Sequence, residues 1–308
     1  MGQLTDKVTK LLDECRILIL ACQVVLAVMF RATFEQGFAN LPLPSRLIVL
    51  AGAALVSFSL AVLLAPASYH VIVERGEDSG ALQRFATKTI EIAMVPFALG
   101  LGVQLYVAFE IVVSRAAAQA AAVLSIAMAM FFWYFLEWLH RQKPVSNRMY
   151  QPDEIAPTDI HKKVDHVLQE ARMALPGAQA LLGFQFASFL SASFDQLPSV
   201  YRVSHLFSLC AIAVSTILLI APAAWHRIVE AGEDSERFHR IASRFLLFAM
   251  AFLANGLALE FAVAIYTSTA SSVASVIGGI LLATFCYGLW FVYMLLNRSH
   301  RWPEQYPS

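Results

Sequence analysis

Apolar and polar positions alternate along this chain on a long scale, as eight apolar stretches separated by short polar clusters. A helix that crosses the hydrocarbon core of a bilayer needs about 20 apolar residues, and each stretch is close to that length or exceeds it. The predicted spans are residues 17–34, 47–73, 90–113, 117–139, 175–191, 203–229, 245–267 and 273–296. The pattern therefore predicts an all-α polytopic membrane protein with about eight transmembrane helices.

Apolar residues also recur at helical spacing before the first span, at Leu4, Val8, Leu11 and Leu12. This predicts a short N-terminal helix at the membrane interface. A cleavable signal peptide has a short apolar core followed by small residues, so the first apolar run is predicted to be a retained span. Residues 140–172 form the most polar segment and are predicted to be a linker.

The second half of the pattern repeats the first at an offset of 156 residues. The densest match joins residues 65–79 to residues 221–235, which are identical at eleven of fifteen positions, including His, Glu, Gly, Asp and Ser. We therefore predict two four-span repeats. Residues 1–150 hold the first repeat, its interfacial helix and the start of the linker; residues 151–308 hold a linker helix and the second repeat.

The distribution of basic residues predicts the topology. Of the 22 Lys and Arg residues, only Arg31, Arg46, Arg115 and Arg202 fall in the segments that would face outward if the N-terminus were cytoplasmic. Cytoplasmic loops carry the excess of Lys and Arg in membrane proteins. Four spans is an even number, so both copies point the same way, related by a pseudo-two-fold axis along the membrane normal. This predicts a multi-pass inner (cell) membrane protein with both termini cytoplasmic.

Composition narrows the function classes. The chain is 58% hydrophobic and 14% charged, with a formal net charge of zero, so it lacks the basic surface expected of a nucleic-acid-binding protein. Its four cysteines show no CxxC spacing and are predicted to pack as small apolar residues. Phosphate-binding, dinucleotide-binding and nucleophile-elbow motifs are absent from the sequence, which argues against an enzyme.

The repeated GEDS motif predicts two tight corners, which we call the first corner and the second corner. Glycine suits a left-handed residue that ends a helix, and Asp-Ser suits the N-cap of the next helix. The predicted cytoplasmic turns consist of Gly76, Glu77 and Asp78 in the first corner and Gly232, Glu233 and Asp234 in the second.

Each corner is preceded by a histidine and a glutamate four residues apart, which lie on one helical face: His70 with Glu74 and His226 with Glu230. One interpretation is an interfacial pair at a capped corner. Another is a cation or proton site lining a shared cytoplasmic vestibule, since imidazole titrates near neutral pH. A zinc or manganese site that includes His239, or a haem bridged by His70 and His226, are further alternatives. The residues leave the cofactor undetermined.

A single carboxylate, Glu260, lies well inside the seventh predicted span. Ionisable groups at that depth are costly and are functional candidates by default, so Glu260 joins the candidate ion or proton site. His205, at the outer start of the sixth span, is a candidate partner. Gln104 occupies the equivalent position in the first repeat, which makes this chemistry asymmetric.

The second half resembles a bacterial family of four-span integral membrane proteins of unknown function, often labelled automatically as sodium:proton antiporters. The resemblance rests on Leu168, Glu170, Arg172, Gln179, Phe194, Leu197, Arg202, Ala221, Pro222, His226, Arg227 and Glu230. The first half matches at equivalent positions but has Val71 where the family has Arg. The resemblance implies a tandem two-copy fusion of a four-span unit that otherwise pairs with itself.

The sequence thus leads to a secondary transporter, with proton-coupled cation antiport as the first hypothesis. The expected partners are the lipid bilayer, protons or small cations, and further copies of the chain in a homo-oligomer. One alternative is a membrane scaffold or sensor that recruits a cytoplasmic partner, and another is a metal- or haem-binding membrane protein.

Overall fold

The computed structural model describes residues 2–136, 155–156 and 158–301. Parts of three predictions lie outside these residues: the end of the fourth span, the boundary between residues 150 and 151, and the C-terminal tail from residue 302. Apart from one pair of two-residue strands, the regular structure in the described ranges is helical.

In its described residues, the first half contains five α-helices. They are α1 Gly2–Ala32, α2 Gln36–Ala39, α3 Leu43–Ser68, α4 Gly80–Val112 and α5 Arg115–Met130. Helices α3 and α5 each continue into a wider π-helical turn, at Tyr69–Val73 and Phe131–Phe135. The short strand β1 Asp78–Ser79 lies between α3 and α4 and pairs antiparallel with β2 Ile155–Ala156 from the linker.

Five more α-helices lie among the described residues of the second half. They are α6 Ile160–Ser188, α7 Ser199–Ile228, α8 Glu236–Thr269, α9 Ser272–Tyr287 and α10 Tyr293–Arg301, with a π-helical turn Gly288–Val292 between the last two.

Within the described residues, seven helical segments are long and apolar enough to cross a membrane, which makes the chain an all-α polytopic membrane protein. They are Asp6–Ala32, Leu43–Val73, Gly80–Val112, Arg115–Phe135, Ser199–Ile228, Glu236–Thr269 and Ser272–Ser299. The predicted span 175–191 lies largely within α6, which is helical but is not among the seven. The N-terminal half of α6 is rich in charged residues, and the apolar run after Arg172 is too short.

The helix boundaries differ from the prediction in two places. The predicted interfacial helix and the first span form one continuous helix, α1, because no Gly or Pro interrupts the sequence between them. Helices α4 and α8 begin about ten residues before the predicted spans. Their N-caps, Ser79 and Ser235, start each helix directly after the corner and accept hydrogen bonds from Leu82 N and Phe238 N, both at 3.0 Å.

The corner geometry confirms the predicted roles of glycine and serine. Gly76 and Gly232 have φ angles of +83° and +86°, in the left-handed region that glycine tolerates. The preceding residues, Arg75 and Ala231, also have positive φ. The same local backbone therefore occurs at both corners.

Helices α1 and α6 pack along each other between two hairpins, α3–α4 and α7–α8, while α5 packs on α4 and α9 on α8. The backbones of α1 and α6 approach closely at Gly177, where a Cβ atom would lie within 2 Å of the side-chain oxygen of Gln23. The large buried Trp290 of the second half donates a hydrogen bond to Ala61 O of the first half at 2.7 Å. One apolar core therefore runs through both halves.

Candidate functional site

A cluster of buried polar side chains lies at the first corner. His70 comes from the π-helical turn that ends α3, and Asp78 comes from β1. His166 and Glu170 lie one turn apart on α6, which packs beside the corner. All four side chains belong to residues that are at most 3% exposed.

The two histidines of this cluster are each held through one ring nitrogen. His70 Nδ1 lies 2.6 Å from Glu170 Oε1, and His166 Nε2 lies 3.1 Å from Thr9 Oγ1 on α1. The backbone N–H of Asp78 donates to Thr158 Oγ1 at 3.0 Å. These contacts fix the orientation of both rings and the position of the carboxylate.

The remaining polar atoms of the cluster face one another without hydrogen bonds. Within the described residues, His70 Nε2, His166 Nδ1 and both Asp78 carboxylate oxygens are buried and have no hydrogen-bond partner. His166 Nδ1 lies 3.5 Å from Asp78 Oδ1. One ligand atom from each of the three side chains lies within 4.8 Å of the other two. We call His70, Asp78 and His166 the first-corner triad.

Burial disfavours the charged forms of Glu170 and His166. Burial raises the pKa of the Glu170 carboxyl, although the neighbouring His70 opposes this shift. Burial lowers the pKa of His166, and the nearby His70 ring lowers it further. A buried polar atom without a hydrogen-bond partner costs about 1–3 kcal/mol, so a ligand that bonds to these atoms would offset that cost.

A polar cleft of about 390 Å³ reaches the cluster from the outside. It is lined by Asp6, Thr9, Arg16, Lys162, Asp165, His166, Gln169 and Arg172. His166 belongs both to the lining of the cleft and to the triad.

The first corner is also held by the linker and by α8. Glu77 accepts hydrogen bonds from Lys163 Nζ and from Thr158 N, the latter at 2.7 Å. A Cβ atom at Gly76 would lie 2.7 Å from Nε2 of His239, so His239 packs directly against the turn. Glu74 is fully buried in the same region.

The second corner is far more exposed, although its sequence is nearly the same. His226 Nε2 lies 3.0 Å from Asp234 Oδ1, and His161 Nδ1 contacts the other oxygen of this carboxylate. Partial burial raises the pKa of Asp234, but the hydrogen bonds from His161 and His226 outweigh it and lower the pKa overall. Glu230 contacts Trp225 Nε1 at 3.4 Å, and Glu233 is exposed.

The two corners differ because of what packs beside them. At the offset of 156 residues, His166 and Glu170 correspond to Lys10 and Glu14 of α1, and both of these are exposed. The described contacts join His70 to α6 and His226 to the second corner itself, and none of them links the two histidines.

The buried carboxylate of α8 forms a second polar cluster at the other end of the bundle. Glu260 Oε2 lies 2.8 Å from His205 Nδ1 and 3.1 Å from Gln185 Nε2. His205 Nε2 lies 3.0 Å from the backbone oxygen of Gln185. Gln185 Nε2 also contacts Ser208 Oγ at 2.6 Å, and Ser208 donates to Gly256 O at 2.7 Å.

Three phenylalanines enclose this second cluster. The ring centroids of Phe34, Phe189 and Phe194 lie 4.9, 4.7 and 5.6 Å from that of His205. His205 and Glu260 are at most 1% exposed. The structure thus joins the carboxylate and the histidine that the sequence presents as candidate partners.

Sequence reasoning did not include His166 and Glu170 in the candidate site. A signal was present, because these residues are four apart on one helix face, the same spacing as His70 and Glu74. They lie in the second half of the chain, however, and the repeat pattern directs attention to equivalent positions rather than to contacts between the halves.

A family model described as "Family of unknown function (DUF6328)" matches residues 2–137 and 153–294. Comparison with curated proteins and with solved structures finds no match. The family description names no activity, so the antiport hypothesis stays a prediction.

Proposed function

We propose that this chain, which belongs to the family of unknown function DUF6328, is a membrane protein that binds a divalent transition-metal cation at the first-corner triad. The observation that carries the proposal is the convergence of buried ligand atoms from His70, Asp78 and His166, which have no hydrogen-bond partner within the described residues. A cation bound there replaces the missing hydrogen bonds and neutralises the buried carboxylate.

The ligand types favour a transition metal over calcium or magnesium. Imidazole nitrogen suits zinc, iron and related ions, whereas calcium and magnesium prefer all-oxygen sites. Two histidines and one carboxylate supply three protein ligands and leave at least one coordination position for water. Since Nδ1 of His70 is engaged with Glu170, His70 would bind through Nε2.

The groups behind the ligands are those expected at a metal site. A metal-bound histidine usually donates its other ring N–H to a carboxylate, a carbonyl or another oxygen, which fixes the tautomer and strengthens the ligand. Glu170 contacts the ring nitrogen of His70 that faces away from the triad, and the Thr9 hydroxyl contacts the corresponding ring nitrogen of His166.

Metal analysis and a Co²⁺ titration of the purified full chain test the proposal, since Co²⁺ reports imidazole ligation through its visible spectrum. We expect one equivalent of metal in the wild type and an affinity at least tenfold lower in His166→Asn. His226→Asn is the matched control, because His226 ends the equivalent helix at the second corner. The proposal fails if no stoichiometric metal binds, or if both variants lose it equally.

A second candidate function is proton-coupled cation antiport, and the buried Glu260–His205 contact within two spanning helices favours it. Together with antiport we propose a two-copy architecture, in which two parallel four-helix units place both corners and both termini on the cytoplasmic side. The two segments matched by one family model and the common backbone of both corners support this arrangement.

Proteoliposomes loaded with a pH-sensitive dye test antiport. An imposed cation gradient is expected to move protons in the wild type and to fail in Glu260→Gln. Glu110→Gln is the control, because Glu110 is a second carboxylate in a spanning helix but pairs with Ser45 and Arg115. Equal proton movement in the wild type and Glu260→Gln, or none in the wild type, excludes antiport.

A further inference from the structure

The polar contacts around Glu260 allow the protons of this cluster to be counted. We infer that His205 and Glu260 form a buried proton-binding site that holds one proton, as a His205 imidazolium paired with a Glu260 carboxylate. The inference concerns a different end of the bundle from the first-corner triad and depends neither on metal binding nor on transport.

The hydrogen bonds of Ser208 determine the orientation of the Gln185 amide. A backbone carbonyl only accepts hydrogen bonds, so the Ser208 hydroxyl donates its proton to Gly256 O. Ser208 Oγ must then accept from the group 2.6 Å away, which is Gln185 Nε2. The amide nitrogen therefore faces Ser208 and Glu260, and it donates to Glu260 Oε2.

The contacts of the two His205 ring nitrogens determine how many protons the pair holds. Its Nε2 lies 3.0 Å from the backbone oxygen of Gln185, which only accepts, so Nε2 carries a proton. Its Nδ1 lies 2.8 Å from Glu260 Oε2. A neutral imidazole has one donor nitrogen and one acceptor nitrogen. The 2.8 Å contact therefore requires one more proton, either on Nδ1 or on the carboxyl oxygen.

The contacts of Glu260 Oε2 favour His205 as the position of that proton. Glu260 Oε2 already accepts from Gln185, and a carboxylate oxygen accepts two donors more readily than the hydroxyl oxygen of a neutral acid does. The pair is neutral overall, which lowers the cost of burying both charges.

The surroundings leave few other groups to compete for the proton. Helix α6 contributes the uncharged Gln185 and α7 contributes Ser208, while Tyr201 and Tyr266 pack against the phenylalanines around His205. In the first half, Val49 and Gln104 stand at the positions equivalent to His205 and Glu260. The histidine–carboxylate pair therefore has no counterpart at the equivalent positions of the first half.

Nitrogen-15 NMR of the full chain with labelled histidine rings tests the inference, and His205→Asn identifies the His205 signals. We expect both ring nitrogens of His205 to be protonated at neutral pH in the wild type. In Glu260→Gln the imidazolium loses its counter-charge, so the signal is expected to become that of a neutral ring. Glu110→Gln is expected to leave it unchanged.

A neutral His205 ring in the wild type overturns the inference, as does an imidazolium signal that Glu260→Gln leaves unaltered. Infrared absorption gives a second readout that does not depend on how the variant folds. The wild type is expected to show no protonated Glu260 carboxyl band at neutral pH, and the presence of that band overturns the assignment of the proton to His205.

Discussion

Two buried histidine–carboxylate pairs use their ring nitrogens differently. In His70–Glu170, one ring nitrogen contacts the carboxylate and the other has no hydrogen-bond partner within the described residues. In His205–Glu260, the second nitrogen is also satisfied, by a backbone carbonyl. The first pair therefore leaves a lone pair for a metal, whereas the second is complete once it holds a proton.

The orienting role of Glu170 leads to a prediction at the same scale. Glu170→Gln removes the carboxylate that holds His70 Nδ1, and such changes lower metal affinity about 10–100-fold. Competition of the purified chain against a chromophoric chelator measures this affinity. Glu14→Gln is the matched control, since Glu14 is the equivalent residue in α1 and is exposed. Equal affinity in both variants would rule out the proposed role.

At the scale of elements, the corners show one local structure in two environments. Both have a glycine with φ above +80° and a serine N-cap. Only the first corner is buried, because α6 and the linker strand β2 cover it. A substitution in this turn therefore affects side-chain packing as well as the backbone conformation.

This difference predicts unequal effects of the same substitution. Alanine at either Gly76 or Gly232 adopts a left-handed backbone at a cost of about 1–2 kcal/mol. At Gly76 the new methyl group also meets His239 at 2.7 Å, whereas at Gly232 the nearest atom is 4.0 Å away. Gly76→Ala is expected to lower the free energy of unfolding by about 1–3 kcal/mol more. Thermal unfolding in detergent measures the difference, and equal shifts would contradict the packing.

The contact between α6 and the second corner should depend on pH. The hydrogen bond to Asp234 raises the pKa of His161, so its stabilising effect is lost as pH rises through that higher value. Asp234 has a lowered pKa, so its contribution is lost as pH falls through that value. The contact is therefore strongest at pH values above the ordinary pKa of an aspartate, about 3.9, and below that of a histidine, about 6.5.

Hydrogen exchange of the amides at the start of α6 measures this dependence. Protection is expected to be highest inside that window and to lose its pH dependence in Asp234→Asn. His161 is exposed, so the effect is small and local. A protection profile that is the same in the wild type and in Asp234→Asn would show that the contact does not form.

Local sequence signals predicted the helices and the corners, but not the contacts between distant parts of the chain. The glycines, the serine caps and the long apolar runs each act through neighbouring residues, so the corners and seven helices follow from them. The predicted span 175–191 lies largely in α6 and is not among the seven, because the charged residues at the start of this helix leave only a short apolar run. Which helix covers which corner is a tertiary property that periodicity does not encode.

At the scale of the whole molecule, the two polar clusters are separated along α6. Glu170 and Gln185 belong to different clusters and are fifteen residues apart, about 22 Å along a helix. The sequence identified His70, Asp78 and Glu260 individually, because each is unusual in an apolar chain. It could not assemble the triad, since His166 comes from the other half and meets the corner only through the packing of α6.

X-ray absorption of the zinc-loaded full chain tests the metal site most directly. We expect a ligand sphere with two imidazoles and oxygen donors in the wild type, and one imidazole fewer in His166→Asn. A stoichiometric zinc ion bound without imidazole, or a ligand sphere that His166→Asn leaves unchanged, would contradict it.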